Sequence, residues 1–121
     1  MSNEDMESSM LTKQDVSRMA DLLDKHGYHY WAQYLRDLLH LELNSMEFIK
    51  AAGGGSVWGG AGSLMDVAMC TSPYPKEIWD RDDNEFSDLS IKLAKHLVKF
   101  EYENVHLPKS TLEIWQKYRQ Q

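Results

Sequence analysis

Residues 51–70 read AAGGGSVWGGAGSLMDVAMC, and the rest of the chain is arranged around them. Six of the seven glycines lie between Gly53 and Gly62. Glycine loses more backbone entropy on folding than any other residue, so such a cluster is costly unless a positive φ or a close backbone approach requires it. A large apolar residue, Trp58, stands in the middle, and the short apolar run 64–70 follows at once. The reading is a tight glycine-rich central loop that lets Trp58 fold back on a core. Ser63 and Asp66 stand at capping-box spacing, which suits a helix over 64–70. Seven residues are too few for periodicity to separate helix from strand, so a short strand there stays open.

Working outward, the flanks are helical. Before the loop, Thr12 and Asp15 have near capping-box spacing, and Val16, Met19, Ala20, Leu22 and Leu23 make one apolar face. His26 and Gly27 end that helix, with Gly27 in the left-handed C′ position and His26 facing the last carbonyls. A second helix is predicted over 28–43, with Trp31, Leu35 and Leu38 inward, as an antiparallel partner of the first. A third opens at Asn44 with Glu47 as counter-cap and ends in the glycines. After the loop, residues 76–85 read as an acidic connection anchored by Trp79. A fourth helix runs from about 85 to 102 with Phe86, Leu89, Leu93, Leu97 and Phe100 in one stripe. A last short helix begins at Ser110, where Glu113 completes a capping box. The expectation is mainly α: one compact domain of about five helices over 11–121, behind a disordered acidic tail at 1–10.

Composition narrows the function. The chain has 121 residues, 13 basic and 19 acidic side chains and a net charge of -6. That balance opposes a general nucleic-acid binder, which needs positive charge against phosphates. No 18-residue apolar run marks a membrane span, and the acidic N-terminus does not read as a secretory signal. A single cysteine, Cys70, excludes an internal disulfide and points to a reducing compartment, so the expected location is cytoplasmic.

The chemical motifs are incomplete. A P-loop needs Lys before its Ser/Thr, and here Gly62 meets Ser63 directly. No register of the glycines gives Gly-x-Gly-x-x-Gly. Asp80, Asp82 and Asn84 match the first ligand positions of a calcium loop, but Glu85 replaces its glycine and Ile91 its closing glutamate. Asp83, Glu85 and Asp88 read instead as the acidic N-terminus of the fourth helix, favoured by its dipole. His26 and His29 straddle Gly27 and have no further ligands to form a zinc set. Cys70 lies in an apolar run, where a thiol is packing rather than nucleophile. The expectation is no enzyme, no metal and no cofactor.

The segment Gly59-Gly60-Ala61-Gly62-Ser63-Leu64-Met65-Asp66, with HYWAQYLRDLL before it, resembles a group of small uncharacterised bacterial helical proteins. Their centre carries Gly-Gly-x-Gly-Ser-x-x-Asp; Gly59, Gly60, Gly62, Ser63 and Asp66 match it, and Met65 stands where Asn is common. These proteins look like immunity proteins encoded beside bacterial toxins. The resemblance implies a protein that binds a cognate toxin domain and occludes a basic active or substrate-binding cleft. Residues of the acidic run, Asp80, Asp82, Asp83 and Glu85, would steer that association, and Trp58 and Trp79 would anchor it. The alternative is a small-molecule-binding regulator or enzyme that uses the glycine-rich loop 53–62.

Overall fold

The computed structural model describes residues 10–58, 62–67, 73–99 and 113. All of the expected tail at 1–10 except Met10, with Gly59, Gly60, Cys70 and all of the expected last helix from Ser110 except Glu113, lie outside the described residues. The fold is mainly helical, and among the described residues there is no strand. Its elements are α1 (Lys13–Lys25), α2 (His29–Leu38), α3 (Met46–Gly53), the single turns α4 (Gly55–Trp58) and α5 (Leu64–Val67), and α6 (Lys76–Val98).

Helix α1 starts and stops as its sequence requires. Thr12 Oγ1 accepts from the Asp15 amide at 3.1 Å, and Asp15 Oδ2 accepts from the Thr12 amide at 2.9 Å. At the other end Gly27 takes φ +93, which a side-chain-bearing residue rarely adopts. The Tyr28 amide then reaches the Leu23 carbonyl at 2.8 Å and the Gly27 amide reaches Asp24 at 3.1 Å. This paired closure reverses the chain into α2. Arg36 of α2 fastens the hairpin, donating to Asp21 at 2.9 Å and also to Asp24.

Helix α2 stops at Leu38, short of the predicted 43, and the next helix begins with a different cap from the one expected. Ser45, not Asn44, caps α3: its Oγ accepts from the Phe48 amide at 3.1 Å and donates to the Glu42 carbonyl at 2.7 Å. The intervening residues close short turns, with Leu39 reaching back to Arg36 and Leu41 to Leu38 at 3.0 Å. With the cap moved by one, Phe48 takes the third helical position and Glu47 is no counter-cap.

The glycine-rich stretch is more helical than its composition suggests. Gly53 is the last residue of α3, and Gly54 breaks the helix with an extended backbone, φ -81 and ψ 177. The Val57 and Trp58 amides both return to the Gly54 carbonyl at 3.1 Å, which forms α4. Trp58 does fold back on the core. It is 5% exposed, and its indole Nε1 donates to the Ala52 carbonyl at 2.7 Å. Only Gly62, φ +84, needs positive φ in the described part of this stretch. Beyond it Leu64–Val67 is one helical turn, and Leu64 is fully buried.

The largest departure from expectation is α6. It begins at Lys76, directly after Pro75, and runs 23 residues to Val98. The acidic stretch 76–85 is therefore helix, not connection, and Glu77 is the only acid in the first turn. Asp83, Glu85 and Asp88 lie in the helix interior, too far along to serve its dipole. The acidic stretch stays helical because its inner face is anchored. Asp82 and Phe86 are buried there, Trp79 packs against the core, and Lys76 pairs with Asp80 one turn on at 2.7 Å.

Three charged contacts set α6 against α1. Lys92 reaches Asp15 at 3.1 Å, Arg18 reaches Glu85 at 2.6 Å, and Lys25 reaches Asp82 at 2.7 Å. Residue numbers rise on one helix as they fall on the other, so the helices are antiparallel. A parallel docking would bring Lys25 toward Lys92 and Asp15 toward Asp82, placing like charges together. The core is closed by Met19, Leu22, Leu23, Leu35, Phe48, Ile49, Leu64, Leu93 and Leu97, all nearly inaccessible.

Candidate partner-binding face

The N-terminal half of α6, the C-terminus of α1 and the residue pair before Pro75 meet at one end of the fold. The deepest group there is Asp82, 1% exposed. A carboxylate is acceptor-only when ionised, so every donor around it can be assigned. His26 Nε2 donates to Oδ2 at 2.8 Å, from a side chain that is itself fully buried. Lys25 Nζ donates to the same oxygen at 2.7 Å, and Arg81 Nε lies 3.4 Å from Oδ1. Burial alone would push the Asp82 carboxyl up. The hydrogen bonds from Lys25 and His26, with the Lys25 charge and Arg81, more than offset it and hold the group at about 2. His26 thus leaves the helix-end carbonyls to which the sequence assigned it and reaches across to α6.

Tyr74 covers this cluster from outside. Its ring meets the His26 imidazole edge-on at 5.3 Å between centroids, and Lys25 Nζ stands 5.3 Å from the ring centre. Tyr74 remains 39% exposed. Asp83, on α6 one residue after Asp82, is half-buried and has no hydrogen-bond or ion-pair partner among the described residues. Its carboxyl is pushed up by burial and by the neighbouring Asp80 charge, with a smaller opposing influence from His26. Trp79 sits one turn before Asp83, half-buried and packed against the core.

The six residues expected to meet a partner therefore divide. Trp58 is inside the fold with its indole N–H engaged, so it presents no ring to the surface. Asp82 is likewise inside, holding His26 and Lys25. Glu85 accepts hydrogen bonds from Arg18 Nε and Nη2, at 2.6 and 2.9 Å, and Arg18 holds its carboxyl below the usual range. Asp80 is exposed, and among the described residues its ion-pair partner is Lys76 of its own helix. Trp79, Asp80 and Asp83 stay at the surface of one helical flank, since positions three and four apart share a face.

Of the motif residues, Gly62 is exposed and Ser63 is buried at 6%. Gly59, Gly60 and the Asp66 side chain lie outside what is described. Sequence reasoning did not find Lys25, His26 and Tyr74 as members of this cluster. His26 and Asp82 are 56 residues apart, and no local spacing signals such a contact.

Among the described residues no group of three or more His, Cys, Asp or Glu side chains is placed to hold a metal ion, and no helix is long and apolar enough to cross a membrane. No family model matches the chain, and no curated protein or solved structure matches it either.

Proposed function

We propose that this chain is an immunity protein that binds a cognate bacterial toxin domain in the cytoplasm and occludes its active or substrate-binding cleft. The observation that carries the reading is Asp83. Asp80, Asp82 and Glu85 each pair with a cation of the same chain, whereas Asp83 is half-buried and makes no hydrogen bond or ion pair among the described residues. Burial and the Asp80 charge disfavour its ionised form relative to a free carboxylate, and a cation placed beside it relieves that cost. A lysine or arginine from a basic cleft supplies that cation, and Trp79 and Tyr74 supply aromatic area beside it, the composition typical of binding hot spots. The net charge of -6 steers the approach to a basic partner. The central glycine motif and its resemblance to immunity-like proteins support the same reading.

The buried His26–Asp82 pair acts as the platform for this face, not as a catalytic dyad. Neither side chain is accessible, so no substrate atom reaches the imidazole. The test is a titration of toxin activity, using the toxin domain encoded beside this gene. One equivalent of the protein should abolish activity, and Asp83→Lys should not. A toxin domain fully active with excess protein would end the proposal.

A further inference from the structure

At the opposite end of α6 lies a groove of about 660 Å³, within the size range of small-molecule sites. Sixteen residues separate Asp83 from Lys99, about 24 Å of helix, so this groove is distinct from the partner-binding face. Its floor is Leu11, 7% exposed, with Leu43 and the imidazole of His96. His96 Nε2 donates to the Leu43 carbonyl at 2.7 Å, and burial pushes its pKa below the ordinary histidine value. Lys13, Lys99 and Glu42 stand on the rim.

The two lysines are unusual in this molecule. Acids so outnumber bases that most cations are taken: Arg18, Lys25, Arg36, Lys76, Arg81 and Lys92 all have acidic partners. Among the described residues Lys13, Lys95 and Lys99 have none, and two of these three line the groove. Lys13 is also the first residue of α1, where the helix dipole disfavours a cation. Helix stability therefore does not account for a lysine there. The antiparallel docking of α1 and α6 brings it to the same end as Lys99.

We infer that this groove binds a small amphipathic monocarboxylate, with its chain on Leu11 and Leu43 and its carboxylate between Lys13 and Lys99. The rim charge selects the monoanion: two ammonium groups against Glu42 leave one net positive charge, and Glu42 repels a second negative one. The apolar floor selects an acyl chain over a compact anion such as acetate.

The probe is decanoate below its micelle concentration, titrated into the full chain by calorimetry and followed by amide chemical shifts. Saturable one-to-one binding is expected, with shifts at Leu11, Leu43 and Lys99. Affinity should rise at least about threefold from octanoate to decanoate, as buried methylenes require. The double variant Lys13→Gln, Lys99→Gln should bind about tenfold more weakly, as loss of two exposed ion pairs implies. Lys95→Gln, an unpaired lysine outside the groove, should bind as the wild type does. All these lysines are exposed, so the variants keep the fold, and unchanged urea midpoints will confirm it. No saturable binding, equal binding of decyltrimethylammonium, or an unaffected double variant would each overturn the inference.

Discussion

Replacing Asp82 by Asn tests the buried cluster that ties the end of α1 to the start of α6. The amide keeps the shape of the carboxylate but removes the negative charge that His26 and Lys25 share at Oδ2, and it replaces one acceptor oxygen by an N–H donor. The magnitude follows from the carboxyl's displacement. A fall from the ordinary 3.8 to about 2 corresponds to about 2 kcal/mol of stability at neutral pH. Stranding a partner of a fully buried pair costs about 3–5 kcal/mol. Lys25 is 31% exposed and turns to water when released, so the cost lies nearer the lower figure, about 2–3 kcal/mol. Urea unfolding at pH 7 should show the midpoint falling by about 1–2 M with an unchanged slope. The pH dependence has a definite sign. Because the folded-state value is depressed, the wild type has this stability above pH 4 and loses it as the pH falls through about 2. Asp82→Asn lacks that loss, so the two stability curves converge as the pH falls from 4 to 2. Glu85 and Asp24, also held low by their partners, titrate in both proteins and cancel from the difference. A midpoint within 0.3 M of wild type at pH 7, or a gap that stays constant down to pH 2, would refute the reasoning.

Four further outcomes follow from single positions. Ser90 Oγ is buried in α6 with no hydrogen-bond partner among the described residues, so Ser90→Ala should raise stability by up to about 1 kcal/mol, read as a higher thermal midpoint. Gly53→Ala should stabilise by about 0.5–1 kcal/mol, because the added methyl meets the Leu97 methyls at an ordinary 3.8 Å; Gly27→Ala, at φ +93, should destabilise by about 1–2 kcal/mol in the same urea assay. Asp83→Asn should melt higher at pH 7 and no higher at pH 3, since a carboxyl displaced upward is a cost once ionised, and the variant should bind the toxin domain less tightly.

The sequence made the helical hairpin legible because its signals are local. The Thr12–Asp15 box, the apolar spacing of α1 and Gly27 act within a turn or two of one another. The return of Trp58 to the core was also readable, from a large apolar residue set among glycines. The start of α6 was not. Asp80, Asp82, Asp83 and Asn84 favour loops by intrinsic propensity, and what overrides them is tertiary: Asp82 is held by His26 and Lys25 of α1. The cap of α3 slipped by one because Asn44 and Ser45 are both good caps, and the Ser45 hydroxyl contacts decide between them only in the folded chain. The candidate site was half legible for the same reason. Composition marks the acidic run, but pairing across the helix seam decides which carboxylates remain at the surface.

The account turns on Asp83 and its neighbours facing a basic partner, and the association rate with the toxin domain measures this most directly. Stopped-flow mixing across a range of ionic strengths should give a rate that falls steeply with salt for the wild type. Asp80→Lys with Asp83→Lys should associate at least tenfold more slowly at low salt, with a flattened salt dependence and an intact fold. Identical rates and salt slopes for the two proteins would contradict it.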